Sequence, residues 1–161
     1  IRAAVTDNGA QQVITASIMQ PECPRNITAT SGGTAGDIKA IQVTIAGTNA
    51  EDLSISEVLP VFTVDSATTV AGTKAFKSVT SITIPAHDGT GATTAIGFGD
   101  VIGLKRRRSR KTVKNAYLNG VLEGTAPTEL FDATNLEGNT VDLNSALNSV
   151  PVIVEYFSAD Q

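Results

Sequence analysis

The sequence predicts an all-β fold, an antiparallel β-sandwich of immunoglobulin-like or jelly-roll-like type with an extended N-terminal arm. Three observations lead there. From Asp37 to Ala86 apolar and small polar residues alternate with period two between turn signals, which buries one face of each strand and leaves the other wet. Tyr117-Leu118-Asn119-Gly120-Val121-Leu122 carries the Asn-Gly pair that favours a type I′ hairpin. The 41% hydrophobic content is mainly Ala, Val and Ile, with 4% aromatics and no Trp, so the expected core is one of small β-branched contacts.

Taken in order, residues 1–24 read as an arm and hinge, and residues 25–161 as the sandwich domain. Val13 to Met19 has strand character, and Pro21 and Pro24 then interrupt regular structure twice, because proline fixes φ and lacks the ladder donor. An edge strand followed by a loop is the equal alternative for this segment. Asn26 to Thr30 predicts a short strand and Ser31 to Asp37 a glycine-rich loop. Ile41, Val43 and Ile45 share a face, Gly47 to Ala50 reads as a turn, and Leu53 and Ile55 resume the alternation. Pro60 marks the Glu57–Val64 stretch as an edge or a bulge.

Phe76, Ile82 and Ile84 share the next parity, and Pro85 with the His87–Gly91 run ends that strand. Ile96 to Leu104, Thr128 to Ala133, Thr140 to Leu143 and Val150 to Phe157 bring the expectation to about nine or ten strands. Leu143 to Leu147 alone hints at a helical turn. No repeat of fixed period and no heptad tract accompanies them, which argues against a coiled-coil shaft.

Charge is unevenly distributed. The net charge is −4, yet six of the twelve basic residues, Lys105, Arg106, Arg107, Arg108, Arg110 and Lys111, fall in one window without an acid. The remainder holds six basic against sixteen acidic residues. A positive knob on an acidic body suits contact with an acidic partner surface, with a solvated loop as the alternative. The acidic total and the lack of interleaved aromatics argue against nucleic acid as the partner.

Chemistry is sparse. The single histidine, His87, sits in a turn-like context and reads as an ordinary loop residue. Asp88 and Asp100 near it match no ligand spacing, so no metal is expected. Glu51 with Asp52 falls in a turn without an aromatic sugar platform and reads as solvated. The stretches Gly32–Gly36 and Gly89–Gly99 lack the Gly-Lys-Ser/Thr of a phosphate loop. Asn26-Ile27-Thr28 matches the glycosylation pattern, a weak signal without secretion. Cys23 is the only cysteine, which rules out an intramolecular disulfide or a CxxC pair. No catalytic residue, cofactor or enzyme activity is therefore expected. No run approaches the roughly 20 apolar residues of a membrane span, and the start lacks signal-peptide order. No membrane partner is expected, and synthesis in a cytoplasm is.

Three longer stretches carry a resemblance: PRNITATSGGTAGDIKAIQVTIAGTN at Pro24 to Asn49, GTKAFKSVTSITIPAHDGTGATTAIGFGD at Gly72 to Asp100, and LEGTAPT with DATNLEGNTVDLNSALN further on. Over roughly Pro24 to Val154 the chain resembles small virion proteins of tailed bacteriophages, encoded near the major capsid protein and read as capsid decoration (cement) proteins or head fibres. The resemblance implies a structural protein made in the bacterial host's cytoplasm and bound to the outer capsid surface. It further implies the major capsid protein as partner and a homo-oligomer, a trimer at local three-fold positions. A head-fibre or tail-associated module that attaches to host-surface glycans is the alternative. After the IGFGD segment, where similar proteins have a milder loop, this chain has KRRRSRK.

Overall fold

The computed structural model describes residues 1–157. Its thirteen strands are β1 (Arg2–Thr6), β2 (Gln12–Ile14), β3 (Arg25–Gly33), β4 (Thr44–Thr48), β5 (Ser54–Val58), β6 (Thr69–Ala71), β7 (Ser78–Ile84), β8 (Ala92–Gly103), β9 (Val113–Leu118), β10 (Val121–Leu122), β11 (Thr128–Leu130), β12 (Thr140–Asp142) and β13 (Val152–Tyr156). The fold is an all-β sandwich with every pairing antiparallel. One sheet runs β11-β12-β8-β3-β6, with β1 added beside β8; a second runs β2-β7-β4-β5; a third, smaller sheet runs β10-β9-β13.

The period-two pattern does the work expected of it. Ile27, Ala29 and Ile96 from the first sheet meet Ile45, Ile82 and Ile84 from the second, and Val43, Leu59, Phe62 and Phe76 complete the cluster. Phe76 is the largest fully enclosed side chain, so its truncation to Ala costs about 3–5 kcal/mol. A second cluster, Leu104, Ala116, Val141, Leu143 and Leu147, packs the small sheet against the far end of the first.

Residues 1–24 lie along this body. β1 pairs with the start of β8 and β2 with β7, so the segment adds one strand to each main sheet, two strands where the edge-strand alternative had one over Val13 to Met19. Ile1, Val5, Ile14 and Ile18 pack on the main core. Pro21 and Pro24 are both buried, and the chain is fastened on either side of them. The Gln20 side chain exchanges two hydrogen bonds with the backbone of Val79 (2.7 and 3.0 Å), and Pro24 O accepts the N–H of Gly103 (2.7 Å).

Other departures have local causes. Ser31 to Gly33, expected in a loop, continue β3 opposite Thr94 to Ala92, because β8 begins four residues earlier than its apolar run. The expected turn at Gly47 moves on to Asn49–Leu53, where the Asn49 carboxamide oxygen accepts the N–H groups of Glu51 (3.0 Å) and Leu53 (3.1 Å). In place of a helical turn after Leu143, 3₁₀ turns occur at Ala35–Asp37 and Leu136–Gly138. Asn119 and Gly120 form the hairpin turn with φ of 51° and 78°, as Asn-Gly predicts.

β3 and β8 do not pair evenly. Between Arg25 and Ile27 the register skips along β8, and the buried Asn26 side chain fills the irregularity, accepting Val101 N–H (3.1 Å) and donating to Gly72 O (2.9 Å). Gly99 lies so close to this carboxamide that a Cβ would overlap it. In β4, a Cβ on Gly47 would meet the carbonyl of Ser78 across the strand pair. Gly47→Ala is therefore expected to destabilise by about 1–3 kcal/mol. Gly36→Ala, where a Cβ meets open space, should stay within about 0.5 kcal/mol of wild type. Urea denaturation followed by circular dichroism compares the two.

Candidate functional site

The basic window forms the loop from β8 to β9, and its six cations divide into two groups. Lys105, Arg106, Arg110 and Lys111 are exposed. None of them takes part in an ion pair among the described residues. Arg107 and Arg108 turn back onto the body, so of the six candidate contact residues these two are engaged within the chain.

Arg107 is half-buried and grips the β4–β5 turn. Its Nη2 donates to Glu51 (3.1 Å), its Nε lies 3.3 Å from both oxygens of the same carboxylate, and its Nη1 donates to Thr134 O (3.1 Å). The Glu51 bonds and charge hold the guanidinium pKa above its ordinary value. The turn is fixed in its own right, because Asn49 Nδ2 donates to the buried Glu137 carboxylate (3.1 Å) and Glu137 O accepts Ala75 N–H (2.9 Å). Glu51, read from sequence as a solvated acid, is thus the loop's anchor on the second sheet.

Arg108 is the loop's internal pin. Only 5% of the residue is exposed. Its Nη1 meets the carboxylate of Glu129 on β11, and Nη2 donates to Leu130 O and Asn139 Oδ1 (both 3.2 Å). The guanidinium carbon stands over the Phe131 ring, 5.9 Å from its centre. Glu129 also accepts the N–H groups of Thr112 (3.0 Å) and Val113 (3.3 Å), where the loop re-enters β9. Burial lowers the Arg108 pKa from its ordinary value. An arginine among five other cations gives no sequence signal that it is internal; Glu129 and Asn139, further along the chain, give none either.

His87 is enclosed rather than set in an open loop. Its ring stacks on Phe62 with centres 6.2 Å apart. Nδ1 accepts Lys39 N–H (3.2 Å), so Nε2 carries the proton and donates to Thr94 Oγ1 (2.9 Å), while the backbone N–H bonds Asp7 (3.0 Å). Asp88 pairs with Lys39 (3.0 Å) and Asp100 with Arg25 (3.4 Å), so neither joins the histidine in a ligand set. Among the described residues no three His, Cys, Asp or Glu side chains converge on a metal-sized site, and no helix is long and apolar enough to cross a membrane. Cys23 is half-buried between Pro21 and Pro24, and burial pushes its thiol pKa up.

On the small sheet, Leu122, Tyr117 and Ile153 lie opposite one another in a cross-strand row. The alternate positions Ala116, Leu118, Val152 and Val154 serve the second core, so the row faces outward. Leu122 and Ile153 are each more than half exposed.

Two outcomes are expected from these placements. Arg108→Met should cost about 3–5 kcal/mol by leaving Glu129 buried without its cation, and adding Glu129→Gln should recover part of the loss. Neutralising Lys105, Arg106, Arg110 and Lys111 together should change stability far less; chemical denaturation of the three variants tests the contrast. For His87, burial lowers the pKa below the ordinary 6.5, outweighing the opposing pull of Asp7 and Asp88. The unfolded chain then binds a proton more readily than the folded one. Stability should be full above pH 6.5 and fall as the pH drops below it. A His87→Gln variant should show a shallower loss in the same titration.

No protein-family model, curated protein or solved structure matches this chain.

Proposed function

We propose that this chain is a structural virion protein, a decoration protein that binds the outside of an icosahedral phage head as a homo-oligomer, with the major capsid protein as its partner and without catalysis. The resemblance over Pro24 to Val154 supplies the phage assignment. The observation that carries a binding role is the braced basic loop. Four exposed cations stand on a loop whose other two arginines are spent on holding it, Arg107 to the second sheet and Arg108 to the end of the first. A loop needed only for solubility requires no such support.

Decoration works by contacting more than one shell subunit at once, so that opening the shell also requires breaking those contacts. Ligation to the assembled shell alone stabilises it by mass action. The cations supply long-range attraction to an acidic shell surface. The outward row of Leu122, Tyr117 and Ile153 supplies apolar area of the kind that gains from burial at an interface.

Quantitative mass spectrometry of purified particles tests the assignment: hundreds of copies per particle are expected, whereas a dozen or fewer would favour the head-fibre or tail-associated reading. Titration onto empty shells tests the loop. Gln at Lys105, Arg106, Arg110 and Lys111 should weaken attachment, and the difference should shrink as salt rises, since exposed charges are screened over about 10 Å at 0.1 M ionic strength. Equal occupancy by wild type and variant at low salt would remove the electrostatic role.

A further inference from the structure

The third sheet ends in an open edge. β13 pairs with β9 on one side, and among the described residues nothing pairs with the other. The hydrogen bond from Asn119 N–H to Pro151 O (2.8 Å) sets the phase of the ladder. Pro151, Ile153 and Glu155 direct their backbone groups toward β9, so Val152 and Val154 direct theirs outward. Unpaired edges are normally blunted by proline, charge, bulges or brevity. β2, β6, β10 and β11 have two or three residues each, and β5 is a polar Ser-Ile-Ser-Glu-Val strand followed by Pro60. β13 has Pro151 before it and a bulge at Glu155/Tyr156. Between those two stops, Val152 to Val154 is apolar and open.

A cleft of about 660 Å³ runs along this edge. Val152, Val154 and Tyr156 form one wall and Ile102, Gly103 and Leu104, at the end of β8, form the other; no β9 residue lines it. The cleft therefore lies beside the unpaired groups and not over a sheet face. On its rim stand Glu22, Arg25 and Lys105. Arg25 is already held by Gly99 O and Asp100, whereas Lys105 has no ion-pair partner among the described residues.

We propose that this cleft is a β-strand-addition site for an extended segment of a partner protein, apolar at alternate positions and bearing an acidic residue opposite Lys105. Outward N–H and C=O groups at Val152 and Val154 ask for another extended backbone, about 4.8 Å away. Side chains on one face of the added strand enter the apolar cleft between β13 and the end of β8. The acid meets Lys105, the one rim cation without an ion pair among the described residues. The site stands whether or not the partner is a capsid protein.

The test uses a blocked heptapeptide that alternates Val and Thr around one Glu, titrated into the isotope-labelled full chain and followed by amide NMR. Saturable shifts centred on the Val152 and Val154 amides are expected. The same peptide N-methylated along one edge, which keeps the side chains and removes the ladder donors, should produce none. Lys105→Glu, an exposed substitution, should weaken binding roughly fivefold, and a peptide with Lys in place of Glu should regain the loss. Absent shifts, shifts elsewhere, or equal binding of the N-methylated peptide would overturn the proposal. So would shifts of Val152 and Val154 that depend on protein concentration without peptide, since a second copy would then occupy the edge.

Discussion

Everything in this fold is hung on the pairing of β3 with β8. β8 runs from Ala92 to Gly103, and β3 accompanies it from Arg25 to Gly33. Its first half accepts β1 and its last three residues accept β12, so one strand belongs to both hydrophobic clusters. Ile96 sits in the main core, whereas Leu104, just past the strand end, sits in the second. The register skip filled by Asn26 falls between these two halves. A buried side chain making two backbone hydrogen bonds there keeps the ladder satisfied while the strand changes its partner on the other side.

This arrangement explains why the basic loop is rigidly based. It leaves β8 where the sheet already holds β12, and it returns through β9 into the small sheet, so both ends are fixed by different layers. Arg108 ties the middle to Glu129 on β11, and Glu129 in turn receives the backbone of Thr112 and Val113. A buried ion pair of this kind is a poor source of net stability, because desolvation offsets most of the attraction. Its value lies in the geometry it enforces on the residues on either side.

The alternation in Asp37–Ala86 made one property legible: which residues face inward. Ile41, Val43, Ile45, Phe76, Ile82 and Ile84 are all buried, because a side-chain period of two reports a face directly. The Asn-Gly hairpin was equally legible, since its turn is encoded by the two residues that form it. What the sequence could not display is partnership at a distance. β1 and β2 look like a free arm because their hydrogen-bond partners lie far along the chain, in β8 and β7. The burial of Arg108 is hidden for the same reason: its carboxylate and carbonyl partners, Glu129 and Leu130, come from β11 and its amide partner, Asn139, from just before β12.

The same logic separates the two kinds of surface this chain presents. A charged loop attracts at long range, but its contacts weaken with salt and carry little geometric information. A strand edge acts only at contact, yet its alternating donors and acceptors fix both register and direction. Here the two adjoin: Lys105 begins the basic loop and also stands on the rim of the cleft beside β13. A partner drawn in by the exposed cations would meet the open edge within the same small region, so attraction and alignment are built into one corner of the fold.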